Sequence, residues 1–196
     1  ADSGSGGIHV IALFEPDADS KELNEYITEL GLPTKDRFHD DGSPQLSKKP
    51  LSELVDFITL KGGICIAAHV LRSRGILDED SMTGQPRIQA WKNQKLLAVE
   101  VPAARAGLTG FAKGVIDNTH DKTKRARPIA AIYSSDARSV EEIGSRATWI
   151  KISSKTLEGL KQAFLDWESR IRHPDELSTQ RFSKILSTEW EGAFLD

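Results

Sequence analysis

Three side chains in this sequence have the residue types and positions of metal ligands: His9, His69 and Asp136. His9 lies in the apolar run IHVIALF, His69 ends the run ICIAAH, and Asp136 follows the run PIAAIY. Because the carboxyl ends of parallel strands meet at one face of an α/β barrel, we expect His69 and Asp136 to share a site there. Imidazole and carboxylate suit Zn²⁺, Mn²⁺ or Fe²⁺, which lower the pKa of bound water and polarise a phosphoryl oxygen.

Each of these residues also has an ordinary structural interpretation. A histidine within an apolar strand can be a hydrogen-bonded core side chain, and an aspartate after a strand can form a turn or cap a helix. Arg138 follows Asp136 by two positions, has no lone pair for a metal and would compete with a cation for that carboxylate. Its guanidinium could instead bind a phosphate in bidentate fashion. The spacing alone leaves both a metal site and a plain turn open.

Other polar residues are weaker candidates. Glu100 ends a strand and could face the same site. His39 is expected in a surface loop, and His173 has no assigned role. Segment 117–128 could contact nucleic-acid phosphates or be a solvated charged loop. Its basic side chains are Lys122, Lys124, Arg125 and Arg127.

Short apolar runs alternate with amphipathic segments, which predicts an α/β fold. The expected strands are 8–14, 64–69, 96–101, 128–133 and 147–152. The expected helices are 20–31, 51–63, 86–94, 108–118, 139–144 and 155–167. Ser20 is predicted to cap the first helix and Gly31 to end it. Five strand-then-helix units with short connections predict a parallel α/β barrel or sheet.

The composition indicates a globular domain. The length of 196 residues fits one domain, or one domain with a fragment of another. The net charge of −3 gives no case for a general nucleic-acid-binding surface. No apolar run approaches the about 20 residues that span a bilayer, and the first ten residues do not resemble a secretory signal. The single cysteine, Cys65, is expected to be a buried, reduced thiol, which suits the cytoplasm.

The end of the chain differs from the rest. Residues 174–180 are polar and are expected to be a linker. Residues 181–196 alternate apolar and polar side chains like a strand, with no later segment to pair with it. We therefore expect residues 1–173 to form the main domain and 181–196 to begin another.

Several of these segments resemble the later motifs of the PHP (polymerase and histidinol phosphatase) family. They are GIHVIALFEP, GGICIAAHV and IYSSDARSVEEIG, followed by ATWIKIS and TLEGLKQAFLDWESRIR. The similarity covers about residues 7 to 173, in order, and is specific at the strand ends but weak in the loops. It is greatest to the PHP domain that precedes an ABC- or SMC-like ATPase in TrlF-type proteins.

The resemblance implies a distorted (βα)7-type PHP barrel that binds up to three metal ions and hydrolyses phosphoesters. His9, His69 and Asp136 match metal-ligand positions, with His69 and Asp136 as catalytic residues. Two departures stand out: Arg138 occupies the position of the last motif's histidine, and the early H-x-H pair and glutamate do not precede His9. The barrel is therefore expected to lack its first strands, and residues 181–196 to lead into an ATPase domain.

Two functional hypotheses follow from this resemblance. The first is a metal-dependent phosphoesterase domain of a larger ATPase-linked protein, using divalent Zn, Mn or Fe ions, with nucleic acid as one candidate substrate. The second is a non-catalytic PHP scaffold that binds a phosphorylated ligand through Arg138 or docks the ATPase. A cytoplasmic location and the absence of a membrane partner are expected in both cases.

Overall fold

The computed structural model of the chain describes residues 7–72, 74–77, 84–135, 137 and 139–174. Six α-helices and six strands form in this part of the chain, so the predicted α/β class is confirmed. The strands are β1 (Val10–Leu13), β2 (Ile64–Ala67), β3 (Leu96–Glu100), β4 (Ala130–Ile132), β5 (Trp149–Ile150) and β6 (Ile171–Arg172). The helices are α1 (Ser20–Glu29), α2 (Leu51–Leu60), α3 (Gln85–Lys92), α4 (Gly110–Ile116), α5 (Leu157–Leu165) and α6 (Trp167–Arg170).

Four strands form the main sheet, in the order β1-β2-β3-β4. β2, β3 and β4 are parallel neighbours, as expected for strands joined through helices. The expectation of parallel pairing throughout is wrong for β1, which pairs antiparallel with β2, Val10 opposite Ala67 and Leu13 opposite Ile64. The two helices between β1 and β2 return the chain to the end of the sheet where β1 finishes. β2 then starts beside Leu13 and runs in the opposite direction.

Apolar side chains cover both faces of this sheet. On one face Cys65, Ala67 and Val99 pack in a cluster with α2, α3 and α4. On the other face Ile66 and Ala98 belong to a second cluster with α5 and β6. Parallel strands buried on both faces need the continuous apolar sequences that these strands have. Packing on both faces of the sheet fixes the positions of the strand ends and of the polar residues that follow them.

Local sequence signals set the ends of α1 and the start of α5. Gly31, at φ 88°, follows α1 as predicted, since glycine adopts a positive φ without strain. The cap of α1 differs from the prediction: Asp19 rather than Ser20 accepts a hydrogen bond from the N–H of Lys21, at 2.9 Å. Thr156 caps α5 by accepting from the N–H of Gly159, at 3.1 Å.

The later units are shorter than predicted. Segment 139–144 contains a single 3₁₀ turn, Val140–Glu142, and β5 has two residues and pairs antiparallel with β6 instead of joining the main sheet. In the described ranges the sheet is open, with β1 and β4 at its edges, and no closed barrel is found. All but the first residue of the expected linker, and the expected following domain, lie outside the described residues. No helix in the described part of the chain has the length and apolarity to cross a bilayer.

A buried arginine joins α3 to β3 and the loop before β4. Arg125 donates through Nη1 to the carbonyl of Trp91 and through Nη2 to the carbonyl of Leu96, the latter at 2.8 Å. Its side chain is buried, and this burial, reinforced by the charge of Arg127, lowers the pKa of Arg125 to about 10. Arg125 is therefore an internal brace, and only the rest of the 117–128 basic cluster remains a candidate for phosphate contacts.

Cys65 is fully buried in β2, as the sequence predicted. Burial raises the pKa of its thiol to about 12, so the nucleophilic thiolate is scarce at neutral pH. We expect no reaction with a disulfide reagent such as DTNB in the native protein and one thiol per chain in guanidinium chloride. Absorbance at 412 nm measures both. Rapid labelling of the native protein would contradict the burial of this strand.

Candidate functional site

Polar residues next to four strands meet at one end of the main sheet, the end at which β2, β3 and β4 finish. β2, β3 and β4 end there, and β1 begins there because it runs antiparallel to β2. His9, His69, Glu100 and Ser134 lie at this end of the sheet. His9 thus reaches the site from the start of its strand, while the other three follow the ends of theirs.

The two histidines are in direct contact. Nδ1 of His9 lies 2.8 Å from Nε2 of His69, and the rings are T-shaped with centroids 4.8 Å apart. One nitrogen must donate and the other accept, so the pair shares one proton and cannot keep this contact when both rings are imidazolium. Among the described atoms, Nδ1 of His69 is buried without a hydrogen-bond partner.

Glu100 holds the backbone of His69 in place. Glu100 is buried, with 7% of its surface exposed. Its Oε2 accepts from the N–H of His69 at 3.0 Å, and its Oε1 accepts from Oγ of Ser134 at 2.5 Å. The carbonyl of Glu100 accepts from the N–H of Val70, at 3.0 Å. One glutamate therefore ties together the ends of β2, β3 and β4.

The chain turns sharply at His69. Its φ of 31° is unusual for a residue other than glycine, and such strain persists only where surrounding contacts impose it. The N–H of Ala68 donates to the carbonyl of His9, and the N–H of Leu77 donates to the carbonyl of Val70. Gly75 permits this closed loop, because a Cβ there would lie 2.4 Å from the Val70 oxygen. The loop thus fixes the direction of the His69 side chain.

A narrow cleft opens over these residues. Besides His69, Glu100 and Ser134 it is lined by Arg72 and Arg146, whose charges favour an anion. Arg146 also lies over the ring of Tyr133, with its guanidinium carbon 5.5 Å from the ring centroid. Leu71, Val101 and Pro102 complete the described lining, and the free volume of about 10 Å³ admits about one water molecule. A phosphoryl group would therefore bind at the mouth of the cleft, where the two guanidinium groups favour an anion.

The structure brings two of the three predicted metal ligands together, His9 and His69. Asp136 and Arg138 lie outside the described residues, so their predicted roles stay predictions. Glu100 reaches the site, as its position at a strand end suggested. His39 accordingly lies in an exposed loop and contacts Gln45.

His120 and His173 have packing contacts instead. His120 packs on Phe111 at a centroid distance of 5.0 Å and contacts Thr123. His173 had no assigned role, yet it is buried, with its ring 4.5 Å from that of Tyr133. Sequence reasoning missed its burial because it follows a polar helix end and precedes a proline.

The donor set fits a metal ion in part. The two facing imidazole nitrogens are suitable ligands. Two tetrahedral ligands about 2.0–2.1 Å from one ion are about 3.3 Å apart, so a divalent cation would have to displace the shared proton and move the rings apart from their 2.8 Å contact. Both oxygens of Glu100 already accept hydrogen bonds, which suits an outer carboxylate that orients a ligand. Among the described residues no three His, Cys, Asp or Glu side chains form a metal-binding group. A complete site would require further ligands, for which Asp136 is the sequence candidate.

Comparison of the chain with protein-family models, with curated proteins and with solved structures found no match.

Proposed function

We propose that this chain is a metal-dependent phosphoesterase domain of the PHP type. The observation that carries the proposal is the direct contact between His9 and His69, which lie 60 positions apart and match two metal-ligand positions of that family. The arginines beside this pair suit the negative charge of a phosphoester. An ATPase partner in the same chain and a nucleic-acid substrate belong to the proposal through the sequence resemblance alone.

In this proposal each residue has a defined task. His9 and His69 would hold the ion together with Asp136, and Glu100 would keep His69 oriented through its backbone N–H. A bound divalent ion would supply an activated water and polarise the phosphoryl group. Arg72 and Arg146 would bind the phosphoryl oxygens and neutralise charge as it develops. Ser134 donates to Glu100, so its hydroxyl acts as a positioning group and not as a nucleophile.

A second candidate function is a non-catalytic scaffold that binds a phosphorylated ligand. Its support is the positive charge of Arg72 and Arg146 at the cleft, which does not require a metal. The sequence gives further support for this candidate, because Arg138 occupies the position at which the family motif has a histidine.

The metal content of the purified protein tests the proposal. We expect near-stoichiometric divalent metal by mass spectrometry and hydrolysis of bis(p-nitrophenyl) phosphate. His69→Asn should lose at least about 90% of both, because asparagine tolerates the positive φ of this position but lacks the imidazole. His39→Asn, a histidine replaced in an exposed loop, should retain the metal.

An Arg138→His variant separates the two candidates. A gain of metal and hydrolysis in this variant, with little of either in the wild type, would mean that the pocket is intact apart from Arg138, and would favour the scaffold for the unchanged chain. If the His69→Asn variant retains its metal, the assignment of the metal site to His9 and His69 is contradicted. If neither the wild type nor Arg138→His takes up metal or hydrolyses the phosphodiester, the phosphoesterase proposal is wrong for this chain.

A further inference from the structure

An exposed turn between β4 and β5 presents two large apolar side chains to solvent. Residues 139–144, here called the 139–144 turn, contain the 3₁₀ turn Val140–Glu142. The N–H of Ile143 donates to the carbonyl of Val140 at 3.2 Å, which closes this turn. Val140 is 78% exposed and Ile143 is 70% exposed. Because residues three positions apart eclipse each other in 3₁₀ geometry, the two apolar side chains share one side of the turn.

The 139–144 turn carries negative charge beside this apolar pair. Glu141 and Glu142 lie between the two apolar residues along the chain, and both are exposed. The next cation along the chain, Arg146, has its guanidinium over the ring of Tyr133. An apolar pair flanked by carboxylates suits a partner segment that combines apolar side chains with positive charge.

The described part of the chain ends close to this turn. β6 pairs antiparallel with β5, so that Arg172 lies opposite Trp149. The ring of His173 contacts that of Tyr133, whose N–H donates to Oγ of Thr148 at 2.6 Å. The last described residues therefore lie near Thr148, which follows the 139–144 turn by four positions.

A segment with the complementary composition follows the described residues. Residues 181–186, RFSKIL, here called the tail segment, have two basic and three apolar side chains. Arg181 follows Pro174 by seven positions, and seven extended residues span at most about 25 Å. The four positions that separate the 139–144 turn from Thr148 span at most about 14 Å. The tail segment can therefore reach the turn within the same chain.

We propose that the tail segment docks on the 139–144 turn of its own chain, with its apolar side chains on Val140 and Ile143 and its basic side chains beside Glu141 and Glu142. The covalent connection keeps the effective concentration of the segment high, so a small contact surface is sufficient. The inference does not depend on the phosphoesterase function. The turn belongs to the same connection as Ser134, so docking would restrict the polypeptide beside the candidate site. It would also hold the start of the domain expected after residue 180 against the first domain.

Trypsin digestion of the full chain tests this docking, because trypsin cleaves after Arg181 and Lys184. Proteolysis follows the population of the open form when opening and closing are fast. We expect both bonds to be cleaved at least about tenfold more slowly in the full chain than in a synthetic peptide of residues 176–190. Mass spectrometry of timed samples measures the two rates.

Variants of the 139–144 turn identify where the tail segment docks. Val140→Ser combined with Ile143→Ser should raise both cleavage rates to within about threefold of the peptide rates. Leu60→Ser is the control, because it changes an apolar residue that is 83% exposed at the end of α2, and it should be cleaved like the wild type. Glu141→Gln combined with Glu142→Gln should give intermediate rates and remove the acceleration by salt that we expect in the wild type.

Wild-type cleavage as fast as that of the peptide, or a double serine variant cleaved as slowly as the wild type, would overturn the proposal. Carbodiimide cross-linking in an equal mixture of isotope-labelled and unlabelled chains identifies the partner. Bonds from Lys184 to Glu141 or Glu142 within one chain would support the proposal. The same bonds formed only between two chains would show that a second copy supplies the segment, and would overturn docking within one chain. Bonds from Lys184 to other carboxylates alone would overturn it as well.

Discussion

Replacing Arg125 by methionine is expected to lower the free energy of unfolding by about 3–5 kcal/mol. The substitution keeps much of the aliphatic volume but leaves the buried carbonyls of Trp91 and Leu96 without their donors. Each unsatisfied buried carbonyl costs about 1–3 kcal/mol. Arg125→Lys should cost less, because a lysine ammonium can satisfy one of the two carbonyls but lacks the guanidinium fork. Urea unfolding followed by tryptophan fluorescence measures these differences.

The matched control is Arg127→Met, two residues on in the same basic segment. Arg127 is exposed, and its one described hydrogen bond, to the carbonyl of Gln94, is long at 3.4 Å. Its replacement should change the free energy of unfolding by no more than about 0.5 kcal/mol. Equal effects of Arg125→Met and Arg127→Met would mean that Arg125 is not an internal brace.

Replacing Glu100 by alanine is expected to cost about 3–4 kcal/mol of stability. The loss leaves the N–H of His69 and the hydroxyl of Ser134 without their acceptor and opens a cavity at a buried position. Glutamine can preserve both contacts, since its amide oxygen accepts from His69 and its amide nitrogen donates to Ser134. We therefore expect Glu100→Gln to remain within about 1 kcal/mol of the wild type.

Glu100→Ala and Glu100→Gln also separate two roles of Glu100 at the site, its positioning of His69 and its negative charge. If the carboxylate orients His69 and also adds negative charge near a cation, Glu100→Gln should keep the fold but weaken divalent-metal affinity by about 10- to 100-fold. Chemical denaturation and a metal titration on each variant measure the two effects. Glu25→Ala, on the exposed surface of α1, is the stability control. A stable Glu100→Ala protein would show that the carboxylate does not hold the three strand ends together.

Periodicity and turn residues in the sequence were sufficient to predict the α/β class and the approximate positions of β1 to β4. They could not predict strand direction, because apolar runs look alike in both orientations. His9 was expected to join a parallel sheet, and it reaches His69 only because β1 is antiparallel. The convergence of these two histidines was therefore predicted by the family resemblance and not by strand geometry.

Long-range contacts account for what the sequence did not reveal. Arg125 looks like its basic neighbours, and nothing local shows that its guanidinium reaches carbonyls 29 and 34 positions away. A cavity of about 280 Å³ between the end of β4 and β6 likewise combines Val101, Tyr133 and His173 from separate segments. Glu100 was a candidate by position, but its role as an acceptor for both His69 and Ser134 depends on three strands ending together.

The position of β1 at the edge of the sheet ties the site to a strand that is protected on one side only. Among the described strands β1 is bonded to β2 alone, and Ile11 at its centre is 41% exposed. Edge strands with few buried contacts open locally at a lower free energy than the core of a domain. Fraying of β1 would separate His9 from His69 while β2, β3 and β4 stay paired. The contact between His9 and His69 can thus break reversibly by local unfolding of β1, at a lower free energy than unfolding of the whole domain.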